Sequence, residues 1–349
     1  MSLARDNAAR LGRAADRARP EAADGFGGLR SAVIESGAAQ AALQPWIAME
    51  CYQLSRGKRL SQMDSLDLGP VQVVREQQFA AIHKLGATPA DLCTLSYCVP
   101  GAECDGPQDA TFRFTDHGAT SPDTVFFMPE RTEFDIHVPE GAQTAYLSFS
   151  QSAFLAAAQA LRPEAWDKTP GGVVQFHSTR LGELRAAVDQ WIDAALAAQM
   201  AERPLDPALM HAIVLQTALQ VAMHEETPTP PAPATRSRAL RLCRMARDYV
   251  EAELDAHAVP TIVDICMTLS VSERTLLYAF HDYVGMSPQA YLRRCRLNRV
   301  RTALLAAQPQ ETTVTGVAMA FGFLHLGRFA GDYRQIFDES PGTTLARQM

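Results

Sequence analysis

No run of apolar residues in this sequence approaches the roughly 20 that a membrane-spanning helix needs. No apolar block opens the chain as a signal peptide would. Its Arg/Ala-rich start leaves a weak amphipathic presequence as an alternative, but interspersed acidic residues make residues 1–30 read as a mobile arm. The nucleophile elbow G-x-S-x-G, the P-loop and the dinucleotide fingerprint are all missing, which removes the commonest hydrolase, nucleotide and dehydrogenase chemistries. A cupin-type metal enzyme needs a tight His-x-His with a following Glu, whereas His83, His117 and His137 lie far apart in sequence. Seven cysteines, odd in number and scattered, fit a reducing cytosol and not a disulfide framework. Cys93, Cys98 and Cys104 form one loose cluster, but C-x4-C-x5-C matches no zinc pattern, and plain thiols are the expectation. The chain is therefore expected to be no enzyme and to carry no cofactor and no metal.

Lysine is also missing from residues 234–349, and arginine is not. That stretch holds 14 Arg against 11 Asp and Glu, a net of +3, which leaves −10 of the chain's total −7 on the remainder. A basic C-terminal piece on an acidic protein is the asymmetry of a nucleic-acid-binding module attached to something else.

At 349 residues, with 47% hydrophobic and 20% charged residues, the chain is long enough for two domains with real cores. "ETPTPPAPATRS", Glu226 to Ser237, reads as a semi-rigid polyproline tether between two independently folded parts. Upstream, over residues 31–150, "GPVQVVREQQF", "DATFRFTDHGA", "DTVFFMPE", "TEFDIHVPEG" and "TAYLSFS" are short strand-like runs closed by Pro, Gly or Glu. They predict a small sandwich or barrel. Residues 151–225 carry helical spacing. There "ALMHAIVLQTALQVAMHEE" is apolar on more than one side, and the same helix in a second subunit is one candidate partner. The fold class is α+β: a β-rich, cupin-like barrel or sandwich, a helical dimerisation segment, the tether at 226–237, and an all-α domain over 238–349.

The all-α part repeats itself. Ile262, Ile265, Cys266, Ser270 and Val271 correspond to Val314, Val317, Ala318, Gly322 and Phe323 at an offset of 52. Leu276, Phe280, Val284, Ser287 and Pro288 correspond to Phe329, Tyr333, Phe337, Ser340 and Pro341 at an offset of 53. Each copy is a short helix, a tight turn and a second amphipathic helix, the layout of a helix-turn-helix. At about 100° per residue, Leu276, Phe280 and Tyr283 face a core. Arg274, Tyr278 and His281 face outward with Leu277 beside them, and Ser272 caps the helix. Arg can fork onto guanine and Leu or Tyr can pack on thymine methyls, so this face suits a major groove. The plainer alternative is packing of Leu277 and Tyr278 on a neighbouring helix.

In the second copy Phe329, Tyr333 and Ile336 form the core stripe, and Gly327, Ala330, Gly331 and Arg334 point outward. This smooth face offers few groups to read bases. It predicts an asymmetric pair, with the first unit reading sequence and the second holding phosphates through Arg334, Arg328 and the His325–Leu326 entry. Close helix packing is the alternative for the glycines. The intervening helix, from about Pro288 to Leu305, spans about 27 Å, of the order of one DNA turn. Arg293, Arg294, Arg296, Arg299 and Arg301 ring it, so some, unlike Arg294, are expected to serve as structural ion-pair partners.

These residues resemble a known family. The pattern I-x2-I-C-x3-S-V-S-x-R-x-L-x3-F-x3-V-G-x-S-P-x2-Y-L, then V-x2-V-A-x3-G-F and F-x7-F-x2-S-P, is similar to the two-unit DNA-binding domain of AraC/XylS-type transcription regulators, over residues 238–345. The family's second unit usually carries Arg two residues after the Phe, where this chain has Gly331. "GFLHLGRFAGDYRQIFDESP" is similar to regulators of ethanolamine and amine-catabolism operons, and "QLSRGK…LDLGPVQVVRE" more loosely to their β-rich sensors. The resemblance implies a cytoplasmic, dimeric, ligand-responsive activator of transcription. Its partners would be double-stranded DNA, RNA polymerase and a small effector, an amine or amino alcohol among the candidates, with no membrane. Tyr97, Phe112, Phe114, Phe126 and Phe134 are candidate cavity residues, and Glu76 and Glu133 candidate partners for a cationic ligand. The plainer and favoured reading of the aromatics is sandwich core. Two other readings stay open. One is an enzyme or a thiol- or metal-sensing domain fused to this DNA-binding type. The other is a constitutive architectural DNA binder.

Overall fold

The computed structural model describes residues 28–101, 112–118, 123–164, 166, 170–203, 205–228, 234–256 and 258–347. Cys104 and the arm before residue 28 lie outside them. In chain order the elements begin with β1 (Gly28–Ile34), a short α1 (Gly37–Ala42), β2 (Ala48–Gln53), β3 (Ser61–Asp67), β4 (Gln72–Gln78), β5 (Ile82–Ala87) and β6 (Leu92–Val99). They continue with β7 (Arg113–Phe114), β8 (His117–Gly118), β9 (Thr124–Met128), β10 (Glu133–Val138), β11 (Gln143–Ser150), α2 (Gln151–Leu161) and β12 (Val174–Ser178). Then come α3 (Leu181–Met200), α4 (Pro207–Met223), β13 (Glu225–Pro228) and α5 (Ala234–Asp255). The rest is α6 (Ile262–Leu269), α7 (Glu273–Val284), α8 (Pro288–Ala306), α9 (Val314–Ala320), α10 (Leu326–Phe337) and α11 (Pro341–Ala346).

The strands make two antiparallel sheets, as the alternating runs lead one to expect. The larger has the order β1-β3-β4-β11-β6-β9-β12-β13 and the smaller β2-β5-β10-β7-β8. The sandwich core between them gathers Ile34, Met63, Val74, Ile82, Phe114, Phe126, Phe134 and Val138. Helices α2, α3 and α4 cover the outer face of the larger sheet, where Phe127, Phe149, Phe154 and Trp166 meet Leu184, Val188, Trp191 and Val214. The segment read as wholly helical, 151–225, therefore needs correcting. Val174–Ser178 returns as β12 beside β9, with Val174 to His177 in register with Phe127 to Thr124.

The tether also shrinks. Glu225–Pro228 pairs with β12, and α5 begins at Ala234, so only residues 229–233, which are not described, separate sheet from helix. The two halves are not independent bodies. Tyr52 and Leu54, with Leu85 of β5, share one buried cluster with Leu240, Cys243, Val250, Leu276, Phe280, Tyr283 and Tyr291. The smaller sheet is thus a partition, with the sandwich interior on one face and the C-terminal helices on the other. Period-two alternation sorts its residues. Lys84, Phe114, Phe134 and Ile136 point inward, while Tyr52, His83, Leu85, Arg113 and Asp135 point toward the helices.

The repeat is visible in backbone geometry. Thr261 and Thr313 cap α6 and α9, and each turn is made by a left-handed residue, Ser270 at φ 54° and Gly322 at φ 76°. Glycine suits the second turn, since a Cβ at Gly322 would sit 2.4 Å from Val259 Cγ2. α7 and α10 likewise end on left-handed caps, Gly285 at φ 69° and Asp338 at φ 55°. The second unit has its own core, in which Phe323, Phe329, Tyr333 and Phe337 pack on Leu297, Val300 and Leu304 of α8.

Candidate nucleic-acid interface and effector cavity

α7 starts where Ser272 Oγ accepts a hydrogen bond from Thr275 N at 3.1 Å, an N-cap of the expected kind. Leu276, Phe280 and Tyr283 are buried, while Arg274, Leu277, Tyr278 and His281 are exposed, Tyr278 to 59%. Tyr278 borders a groove whose other wall is Arg238, Arg241, Leu242 and Met245 of α5, yet stays mostly open. Its ring lies 5.3 Å from the Arg274 guanidinium, and Arg274 Nη2 donates to its hydroxyl at 3.1 Å. That contact holds the arginine along the outer face before any partner arrives, which reduces the rotamer entropy lost on binding.

α10 differs. His325 stands at its N-cap without a side-chain bond, so the first N–H groups have no capping oxygen. His325, Leu326, Gly327, Arg328, Gly331 and Arg334 are exposed, and Ala330 is half-buried. Beyond the helix's own backbone and the adjoining residues, no atom of the described residues lies within 4 Å of a Cβ built on Gly327 or Gly331, so close packing against those residues does not explain either glycine.

α8 spans 19 residues, about 28 Å at 1.5 Å per residue. Several of its arginines are structural. Arg293 pairs with Asp332 of α10, and Arg299 with Glu251 and Asp255 of α5. Arg301, 2% exposed, sits 2.9 Å from Glu339 and 4.6 Å over the Phe337 ring. Arg296 covers the Phe323 ring at 5.1 Å. Arg294, expected at the DNA, is half-buried with Nη1 3.2 Å from Met286 Sδ, and its burial lowers its basicity.

Inside the sandwich lies a small cavity of about 70 Å³. Phe112, Phe114 and Phe134 line it, with Ile47, Met49, Met128 and Val138. Tyr97 borders it on β6, but its side chain packs in the cluster on the outer face of the larger sheet, with Leu95 and Phe127. Phe126 does not face the cavity. Its ring backs Phe114 at 5.2 Å and Phe112 at 5.5 Å. Neither candidate carboxylate is among the lining residues. Glu76 is buried, held by Gln40 Nε2 at 2.7 Å and by Lys84, and Glu133 lies on the outer face, 3.6 Å from Arg244. The charged group that does line the cavity is Lys84, which the sequence reading missed. A lone lysine in the apolar strand "AAIHKLGA" was the available signal. Gln44 and Tyr146 add polar atoms, their side chains joined at 2.7 Å and Tyr146 also bonded to Trp46 Nε1 at 3.0 Å. Cys93 and Cys98 are buried on β6, and burial pushes the Cys93 thiol up, so neither lies open to a metal or oxidant.

Between cavity and readers the partition carries a buried polar hub. Asp135, 1% exposed, meets His83 Nε2, the Tyr283 hydroxyl at 2.5 Å and Arg244 Nε at 3.4 Å, with Arg247 at 3.7 Å. His83 Nδ1 lies 2.7 Å from the Tyr291 hydroxyl. Burial would raise the Asp135 pKa, but His83 and the two arginines outweigh it and hold the carboxyl well below the usual range.

Residues 265–347 match a model described as a helix-turn-helix domain. The chain is 38% identical over 104 residues to the probable thc operon regulatory protein of Rhodococcus erythropolis, covering 30% of this chain and 31% of that one. It is 39% identical over 75 residues to the XylDLEGF operon transcriptional activator of Pseudomonas putida, covering 22% and 23% respectively. The chain thus spans about a third or less of the length of these two curated relatives. A crystal structure of a probable AraC family transcriptional regulator from Rhodopseudomonas palustris CGA009 aligns at 37% identity over 31% of this chain and 96% of that one, with a TM-score of 0.28.

Proposed function

The C-terminal domain is of the AraC/XylS helix-turn-helix type, and from that premise we propose that the whole chain is a ligand-responsive, sequence-specific regulator of transcription. In this reading it is an activator that works in the cytoplasm as a homodimer, on double-stranded DNA and with RNA polymerase. One observation carries the reading. In both units the apolar stripe of the second helix is buried and the opposite face is open, with Arg274, Leu277, Tyr278 and His281 on one and Arg328 and Arg334 on the other. Exposed Arg, Tyr and His on a helix of this layout are groups that reach base edges in a major groove. Gly327 and Gly331 favour close backbone approach over base reading in the second unit, and the uncapped start of α10 offers N–H groups to a phosphate.

The sandwich cavity supports the sensing half of the proposal. Its wall is aromatic and aliphatic, with Lys84 as its charged group. One of the three ammonium donors is engaged by Glu76, which leaves others for a ligand. An apolar molecule with an anionic or hydrogen-bond-accepting group fits this lining better than an amine, which would find no free carboxylate among the lining residues. The dimer proposal draws on exposed apolar residues of α3 and α4, namely Leu196, Met200, Leu209 and Ile213. Among the described residues no helix is long and apolar enough to cross a membrane.

The test is selection of bound sequences by the full chain from a random duplex library. A defined pair of half-sites about one helical turn apart is expected. Enrichment of no sequence at all would remove the DNA-reading function.

A further inference from the structure

The N-terminal sandwich touches both readers, and it touches them at equivalent places. In the first unit Arg113 Nη1, on β7, donates to the carbonyls of Asp282 and Tyr283 in the last turn of α7. In the second unit the carbonyl of Ile336, in the last turn of α10, accepts from Gly57 N at 2.9 Å and from Gln53 Nε2 at 3.1 Å. Tyr283 and Ile336 are the same position of the repeat, 53 residues apart.

The choice of position has a physical reason. The last carbonyls of a helix lack intrahelical partners and carry the negative end of its dipole. In each reader the left-handed cap residue takes only one of them, Gly285 N bonding His281 O and Asp338 N bonding Arg334 O. The carbonyls that follow are left for outside donors, and the sandwich supplies them. Arg56 adds an ion pair to the second cap itself, at 2.6 Å from Asp338.

A third contact fixes the rod between the readers. Asn298, buried on α8, accepts from Gln53 N at 2.9 Å and donates to Gln53 O at 3.0 Å, so its amide pairs with the β2 backbone as a neighbouring strand would. One short stretch of the sensor, Gln53 to Gly57, therefore grips α8 and α10 together, while Arg113 grips α7. None of these contacts covers Arg274, Tyr278, His281 or Arg334, which remain exposed.

We propose that the sensor domain is a bracket, and that Arg113, Gln53 and Arg56 are positioning residues that set the placement of one reading helix relative to the other. They thereby set the half-site spacing that the chain accepts on DNA. The inference rests on the DNA-reading function proposed above. A single rod fixes the distance between two units, and holding both helix ends against the smaller sheet and the loop that follows β2 fixes their rotation as well. On a duplex, moving one half-site by one base pair shifts it by about 3.4 Å and turns it by about 36°. A bracketed pair must resist that change. Arg113 also lies between Phe112 and Phe114 of the cavity wall, so the grip on the first reader shares its strand with the effector site.

The experiment uses the full chain and duplexes built from the selected half-sites, with the separation unchanged or altered by one base pair either way. Wild type is expected to bind the altered duplexes at least about tenfold more weakly, the scale of a lost base-pair contact. Arg113→Ala is expected to bind all three within about threefold while keeping its base preference inside each half-site, and Arg113→Lys to restore the wild-type ratio. The double variant Arg56→Ala, Gln53→Ala should relax spacing in the same way through the second reader. Thermal unfolding of each variant checks that the fold survives. An Arg113→Ala chain that loses overall affinity but keeps the wild-type spacing ratio overturns the bracket, and so does a folded wild type indifferent to spacing. If wild type selects no sequence, the DNA-reading function itself fails first, which is a separate result.

Discussion

α7 and α10 occupy equivalent places in the repeat and have the same length, 12 residues, yet they are prepared for different work. α7 begins on a serine cap and shows Arg, Leu, Tyr and His to solvent, with the arginine already laid along the tyrosine ring. α10 begins uncapped and shows two glycines and two arginines. Their attachments to the sensor differ as well. Both are gripped at last-turn carbonyls, but the first unit adds a buried ionic hub at Asp135 and the second an exposed ion pair. A duplicated fold keeps its core and caps because packing demands them, whereas the outward positions are free to diverge.

The largest effect that separates the two units is expected at Asp135. Asp135→Asn removes the buried carboxylate that Arg244 and Arg247 approach and should destabilise the chain by about 3–5 kcal/mol in chemical denaturation. Nothing comparable is expected for Asp338→Asn at the exposed contact, where the ion pair is worth about 0–1 kcal/mol. Because the folded Asp135 pKa is depressed, its contribution is complete above its unfolded value near 4, roughly, and is lost as pH falls below it. The acid limb of stability against pH should flatten in Asp135→Asn, and an unchanged limb would show that the hub titrates elsewhere.

Next in size is Arg274→Ala, expected to cost about 1–3 kcal/mol at one or two defined base pairs and little at others. Equal weakening on every sequence would remove its base-reading role and make the first unit resemble the second. Gly331→Ala should follow. With open space around its Cβ, the change should stabilise the protein by about 1 kcal/mol through helix propensity. It should also weaken DNA binding if the smooth face meets a sugar-phosphate backbone, so a stabilised variant with undiminished affinity would take α10 away from the DNA. The smallest effect belongs to Arg334→Ala, expected to lower affinity alike for all sequences and to reduce the salt slope by about one. An unaltered slope would place Arg334 off the interface.

Much of this was legible in local pattern. The offsets of 52 and 53, the caps at Ser272 and Ser287, and the buried and exposed stripes of α7 and α10 follow from periodicity and cap chemistry, which act over a few residues. Phe112, Phe114 and Phe134 could be placed near a cavity because aromatic alternation marks the inside of a sandwich, whereas Tyr97 packs on the other face of its sheet. Glu76 could not be judged that way, since its distance from any ligand depends on Lys84 across the strand pair and Gln40 on a helix that sequence reading did not foresee. β12 was hidden in a helical stretch because its partner strand, β9, lies some 50 residues earlier.

By itself the sequence determined the doubled helix-turn-helix, its unequal outer faces and a β-rich N-terminal part, because each depends on residue spacing within one element or on a repeat that can be counted. Only the tertiary structure decided that the smaller sheet serves as a shared wall, with Lys84 turned to the cavity and His83, Arg113 and Asp135 turned to the readers. Alternation along a strand says that neighbours face opposite ways, but not what waits on either side. That depends on contacts between segments well over 100 residues apart, such as Asp135 with Tyr283 and Gln53 with Asn298, and no local pattern encodes such meetings.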